Sequence, residues 1–188
     1  MEKKKLMTIL ALSSVPALAF SVSFRTAVGL GIYTVAAVLL TALIAWPLKK
    51  LVSPRSGAVT SLLVSVTVVS ALMMVLEAFR GEIYSGNGIY FALNSVSALV
   101  LASLTDEGEL SYQKTLTLSA ARAAEWLVLT AVTAFFRELL GSASLMGNEV
   151  SFLMPYRITL LTKPFGGFLV YALVLALVVR FDAKEESK

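Results

Sequence analysis

The sequence contains neither cysteine nor histidine. The first absence excludes disulfides, thiolate metal sites and cysteine nucleophiles. The second removes the commonest acid–base group at neutral pH and the commonest metal ligand. Zinc sites, histidine-ligated haem and Ser-His-Asp triads are therefore out of reach of this chain. Charge is scarce too. Only 15% of the 188 residues are charged and 57% are hydrophobic, with a mean hydropathy of +0.82. A soluble domain carries about 25% charged residues. Too few polar residues remain to cover a water-facing shell, so the composition indicates an all-α integral membrane protein. The net charge of +4 comes from Lys and Arg at segment ends, which suits a cytoplasmic membrane surface. No basic stripe interleaves with aromatics, and no nucleic-acid partner is expected.

What is present is a series of apolar runs. A spanning helix needs ~20 mostly apolar residues. Six segments qualify, at about 6–24, 27–48, 57–79, 88–104, 116–136 and 158–180. Short polar breaks divide them, among them "RGEIYSGNG", "TDEGELSYQK" and "RELLGSASLMGNEV". The chain therefore reads as a single membrane domain over 1–188 with no soluble domain. The opening run could be taken for a signal peptide with Ala17-Leu-Ala19 as cleavage site. Ser13, Ser14 and Pro16 interrupt its apolar middle, which favours a retained first membrane segment.

With a cytoplasmic N-terminus, ten basic residues fall inside (Lys3, Lys4, Lys5, Lys49, Lys50, Arg55, Lys114, Arg180, Lys184, Lys188) and five outside (Arg25, Arg80, Arg137, Arg157, Lys163). The positive-inside rule then puts both termini in the cytoplasm. "ALSSVPALAF" (11–20) and "ALNSVSALVL" (92–101) match at six of ten positions. Each opens a three-span half, about 6–79 and 88–180, and three plus three spans gives an inverted repeat. Common membrane residues produce such matches too.

Several residues invite a chemical reading. Arg122 and Glu125 lie three apart on one helical face within the fifth segment. Charge at that depth must be paired or hydrated, which makes them ion-path candidates; an interfacial pair with a snorkelling Arg122 is the plainer alternative. Glu77 and Arg80 repeat the spacing and read as a solvated helix end. Arg137 and Glu138 follow the fifth segment abruptly. Charges end a span, and Gly141 is placed to supply a left-handed cap. Trp46, Trp126, Tyr33 and the phenylalanines read as lipid contacts or interfacial anchors.

"FFRELLGSASLMG" resembles the end of the fifth span in the Rnf/Nqr family of six-span subunits, in the Rnf E and Nqr D branch. Pro16 with "GLG" (29–31), "LVSPRSG", "NGIYFALNSVSALVLAS" and "LLTKPFGGFLVYALVLAL", with Pro164, Gly166 and Gly167, resemble further landmarks of that family in order and spacing. The resemblance implies a membrane subunit of an ion-translocating electron-transport complex, with no activity as an isolated chain. Its partner would be a homologous six-span sister in the cell (inner) membrane, and flavins and iron–sulfur clusters would sit in partner subunits. It also marks Arg137 and Glu138 as ion-path candidates. Family members carry two cysteines for a membrane iron–sulfur cluster; here those positions are Val15 and Ser97 or Ala98. No cofactor or metal is therefore expected in this chain. "SGAV" (56–59) resembles a flavin-attachment motif, but Val59 stands where the modified Thr would be. A small multi-span transporter or substrate-binding membrane component without a redox role is the alternative reading.

Overall fold

The computed structural model describes residues 13–19, 21–52, 56–84, 88–103 and 111–185. Lys3, Lys4, Lys5, Pro54, Arg55, Lys188 and the run 105–110, used above for topology and connections, lie outside the described residues. So do Ala11, Leu12 and Phe20 of the first repeat segment. The described chain is dominated by helix. In chain order come α1 (13–19), α2 (Phe24–Leu51), α3 (Gly57–Tyr84), α4 (Gly88–Ser103), α5 (Tyr112–Arg137) and α6 (Pro164–Glu185). The all-α expectation holds. Two helices, over Phe24–Leu48 and Val59–Phe79, are long and apolar enough to cross a membrane. The apolar part of α4, Gly88–Leu101, and that of α6, Pro164–Arg180, are shorter.

Local chemistry fixes several boundaries. Ser23 precedes α2 and caps it reciprocally: Thr26 N–H donates to Ser23 Oγ and Ser23 N–H to Thr26 Oγ1, both at 3.3 Å. The last helix begins at Pro164, later than the 158 expected. Residues Thr159–Thr162 form a 3₁₀ turn instead, and proline suits a first helical position because its missing N–H has no partner there anyway. The polar break after α5 is not plain loop. The helix loosens into a π-helical turn, Glu138–Ser142. A short hairpin follows, with β1 (Ser144–Leu145) pairing antiparallel to β2 (Asn148–Glu149). Met146 (φ 54°) and Gly147 (φ 89°) form its two-residue turn, the left-handed geometry that matches strand twist.

The chain divides into two compact units. One holds Leu30–Leu127 together with Pro16 and the residues before it; the other holds Ala17–Gly29 and everything from Val128 onward. In the first, Ala45, Val64 and Val68 form an apolar cluster joined by Leu48 and Leu72. Tyr33 stacks edge-on against Phe91 at 5.0 Å and donates its hydroxyl to the Val69 carbonyl at 3.1 Å. Ser65 Oγ ties α3 to α4 through the Ser95 carbonyl, 2.8 Å away. The outer face of α3 leaves Leu62, Leu63, Val66, Met74, Val75 and Phe79 exposed. A face that apolar fits lipid or partner helices rather than water.

Tyr33 and Trp126 are corrected by this packing. Both are buried, Trp126 completely, so neither meets lipid. Large amphipathic rings fill helix interfaces as readily as membrane boundaries. Trp46 instead stacks on Tyr112 at 5.1 Å, with Lys50 Nζ 3.8 Å over its ring, one turn further along α2.

Candidate functional site

The Arg137–Glu138 pair sits where α5 gives way to the π turn, and both side chains are buried. They do not serve each other. Arg137 spends its guanidinium on four main-chain carbonyls. Nη1 donates to Leu18 O at 2.6 Å and Ser21 O at 2.9 Å. Nε donates to Leu161 O at 3.1 Å and Nη2 to Lys163 O at 3.2 Å. Leu18 and Ser21 lie where α1 ends, so the cation meets carbonyls that no helical N–H can reach and that carry the negative end of a helix dipole. Leu161 and Lys163 lead into α6.

Glu138 does the converse. Its Oε2 accepts the Phe24 N–H at 2.7 Å, at the positive start of α2. Its Oε1 accepts the Gly147 N–H at 3.3 Å, at the hairpin tip. A cation thus closes the end of one helix and an anion the beginning of the next. Gly167 makes room for this: a Cβ there would lie 2.9 Å from Arg137 Cζ and from Leu18 O. Gly166 is equally constrained, because a Cβ would run into the Leu161 backbone and the Leu160 carbonyl. The arrangement is a clamp on four chain segments. Both carboxylate oxygens and four N–H donors are engaged, leaving little free capacity for a passing ion.

The cap at this helix end differs from expectation. Gly141 is not the left-handed residue; Ala143 is, at φ 51° and ψ 36°. The wider π turn carries the chain two residues further before it reverses. Gly141 serves packing instead, since a Cβ there would press on Thr162 and Leu161.

Arg122 and Glu125 form a direct ion pair. Nη1 lies 3.1 Å from Oε1 and 2.9 Å from Oε2. Their side chains are 19% and 47% exposed. The pair straddles the middle of α5, with Arg122 about 15 Å along the axis from Tyr112. Glu77 is exposed near the end of α3, and the Arg80 side chain lies outside the described residues.

The positions at which the resemblance expects cluster cysteines come out differently from one another. Val15 on α1 is 44% exposed, while Ser97 and Ala98 on α4 are fully buried. Ser97 Oγ donates to the Ser13 carbonyl at 2.5 Å, tying α1 to α4. An isopropyl group, a committed hydroxyl and a methyl do not fit a cluster that needs soft thiolate ligands. Among the described residues no group of acidic side chains is placed to hold a metal ion.

Sequence reasoning passed over Asn94 and Thr34, both fully buried, with Asn94 Nδ2 donating to Thr34 Oγ1 at 2.6 Å. An amide in a sixteen-residue apolar helix was the available signal.

No individual curated protein matches this sequence. The family model described as "Rnf-Nqr subunit, membrane protein" matches residues 1–175. With landmarks in order from Pro16 to Gly167, and with a match over nearly its full length, this chain belongs to the Rnf-Nqr family of membrane subunits.

Proposed function

We propose that the chain is a subunit of the Rnf E / Nqr D branch of an ion-translocating electron-transport complex, and that it holds no iron–sulfur cluster of its own. The family match over residues 1–175 carries the reading. It favours a redox complex over the stand-alone transporter considered from sequence. In this reading the chain sits in the inner membrane with six spans in two inverted halves and both termini in the cytoplasm. A homologous six-span sister packs against it, and flavins and iron–sulfur clusters belong to partner subunits. The contact between Ser13 and Ser97 supports the inverted repeat, because matched segments of such halves meet near their pseudo-symmetry axis.

The Arg122–Glu125 pair supports the partner and the ion path together. A half-exposed carboxylate at the middle of a membrane helix is costly in lipid. A sister subunit or a hydrated path against that face of α5 removes the cost. Ion movement past this face would then depend on Glu125, which Arg122 pairs at 2.9 Å.

The test is purification of the complex with its natural partners. Homologous sister and flavin-bearing subunits should co-purify. Iron analysis and low-temperature EPR should then give no cluster signal whose ligands map to this chain. A stoichiometric two-iron signal assigned to Ser97 or its neighbours would overturn the cluster-free assignment. Recovery of the chain with no redox subunit would overturn the complex. For topology, a Cys at Asn148, exposed in the hairpin, should react with an outside reagent and one at Ser187 should not.

A further inference from the structure

The interior of the unit containing Leu30–Leu127 holds polar side chains that this fold leaves unpaired. Thr41, Asn94, Ser119 and Trp126 are all fully buried or nearly so, at 0% exposure. Thr41 Oγ1, Asn94 Oδ1, Ser119 Oγ and Trp126 Nε1 find no hydrogen-bond partner among the described residues. Helical hydroxyls ordinarily return their proton to the carbonyl one turn back. Thr34, Ser61 and Thr67 do so, to Leu30, Gly57 and Leu63. Thr41 and Ser119 do not.

These groups fall into two levels. Within the unit, α2 and α5 run antiparallel, meeting at two places. A Cβ on Gly31 would lie 3.0 Å from Leu127 Cγ, and Trp46 stacks on Tyr112 at 5.1 Å. Fifteen residues separate the two contacts on each helix. Thr41 is five residues from Trp46, and Ser119 is seven from Tyr112. They therefore stand within about 3 Å of one another along the bundle. Trp126 neighbours Leu127, and Thr34 is three residues past Gly31. Trp126 and the Thr34–Asn94 hydrogen bond therefore share a second level, about 10 Å from the first. Tyr112, Ser119 and Trp126 recur at seven-residue steps, on the face of α5 that meets α2. At one end the helices approach with only glycine between them; at the other, two rings hold them apart.

We propose that this interior is hydrated, with water at two levels: Asn94, Thr34 and Trp126 at one, Thr41 and Ser119 at the other. The ligand chemistry selects water over a bare cation. Asn94 Oδ1 only accepts, Trp126 Nε1 only donates, and the hydroxyls do both. Water can meet all three demands, whereas a cation is repelled by the indole N–H. No carboxylate is buried in this unit among the described residues to neutralise a cation. Buried water typically occupies sites where two to four polar groups converge. The consequence is two hydrated positions, about 10 Å apart, inside a membrane subunit, independent of whether the complex carries a cluster.

The absence of native cysteine makes the test direct. Ser119→Cys and Thr41→Cys are near-isosteric single-thiol variants on two different helices. Each is treated, in membranes holding the assembled complex, with a small charged methanethiosulfonate, which reacts with thiolate and so reports water. Ile32→Cys, on the exposed apolar face of α2, is the reference. Modification at either polar level at least tenfold faster than at Ile32→Cys supports water at that level. Rates at both levels no faster than the reference, with full modification after detergent denaturation, overturn the proposal.

Discussion

Two arginine–glutamate pairs lie on α5 and its extension, and the chain treats them in opposite ways. Arg122 and Glu125 bond each other and leave Glu125 half exposed. Arg137 and Glu138 are buried, ignore each other and bond the backbone of four segments. The same residue types therefore do different work. Spacing explains part of it. Three residues apart, two side chains share a helical face. Adjacent residues diverge by about 100°, so each must find its own partners. The loose π turn at Glu138 lets the two heads reach segments on different sides.

The comparison is broken most severely at Arg137. Arg137→Gln removes a charge held by four carbonyls. Hydrogen bonds to a charged group contribute about 1.5–3 kcal/mol each, and orphaned carbonyls add to the loss. The expected outcome is loss of the chain from the membrane, read as steady-state level by immunoblot. Arg137→Lys should fail nearly as badly, because an ammonium cannot span the planar fork. Recovery of wild-type levels with Arg137→Lys would reduce the clamp to a simple charge.

Gly167→Ala comes next. Its methyl would compete with the guanidinium and the Leu18 carbonyl for one space. Overpacking of this kind costs about 1–3 kcal/mol, and should lower the melting temperature of the purified complex by several degrees. Glu138→Gln should cost no more. Its amide oxygen still accepts one N–H, so either Phe24 or Gly147 loses its partner, at about 1–3 kcal/mol. The hairpin is the weaker contact, and faster proteolysis near Gly147 is the measurement.

The smallest stability effect belongs to the first pair. Glu125→Gln should impair assembly less than it reduces ion translocation in vesicles, because in this reading a partner or water already meets that face of α5. The Arg122→Gln/Glu125→Gln double variant should assemble at least as well as Arg122→Gln alone, because no uncompensated carboxylate remains. Normal translocation by both single variants would leave the pair without a role in ion movement.

Much of the molecule was legible in advance. Apolar run length gave the helices, because a helix in lipid must satisfy its own backbone and announce itself by composition. "FFRELLGSASLMG" marked the end of α5. Its internal detail was not legible: nothing in Glu138–Ser142 declares a π turn, and the left-handed residue proved to be Ala143 rather than the obvious Gly141. Trp126 and Tyr33 were misplaced at the membrane boundary because composition does not say which face of an apolar helix meets protein. Val15 and Ser97 were legible in chemistry alone; that Ser97 donates to Ser13 is decided by the packing of α1 on α4.

Composition by itself determined that this chain is helical, membrane-bound and without thiolate ligands, since those properties follow from which atoms are present. Tertiary structure decided what the charges do. A guanidinium and a carboxylate have no fixed role in a sequence. Arg137 became a clamp because α1 ends and α6 begins within reach of its fork, and Glu125 stayed half exposed because no described segment covers it. Partnership is a matter of distance, and the distances between residues more than a hundred positions apart, such as Leu18 and Arg137, exist only once the chain has folded.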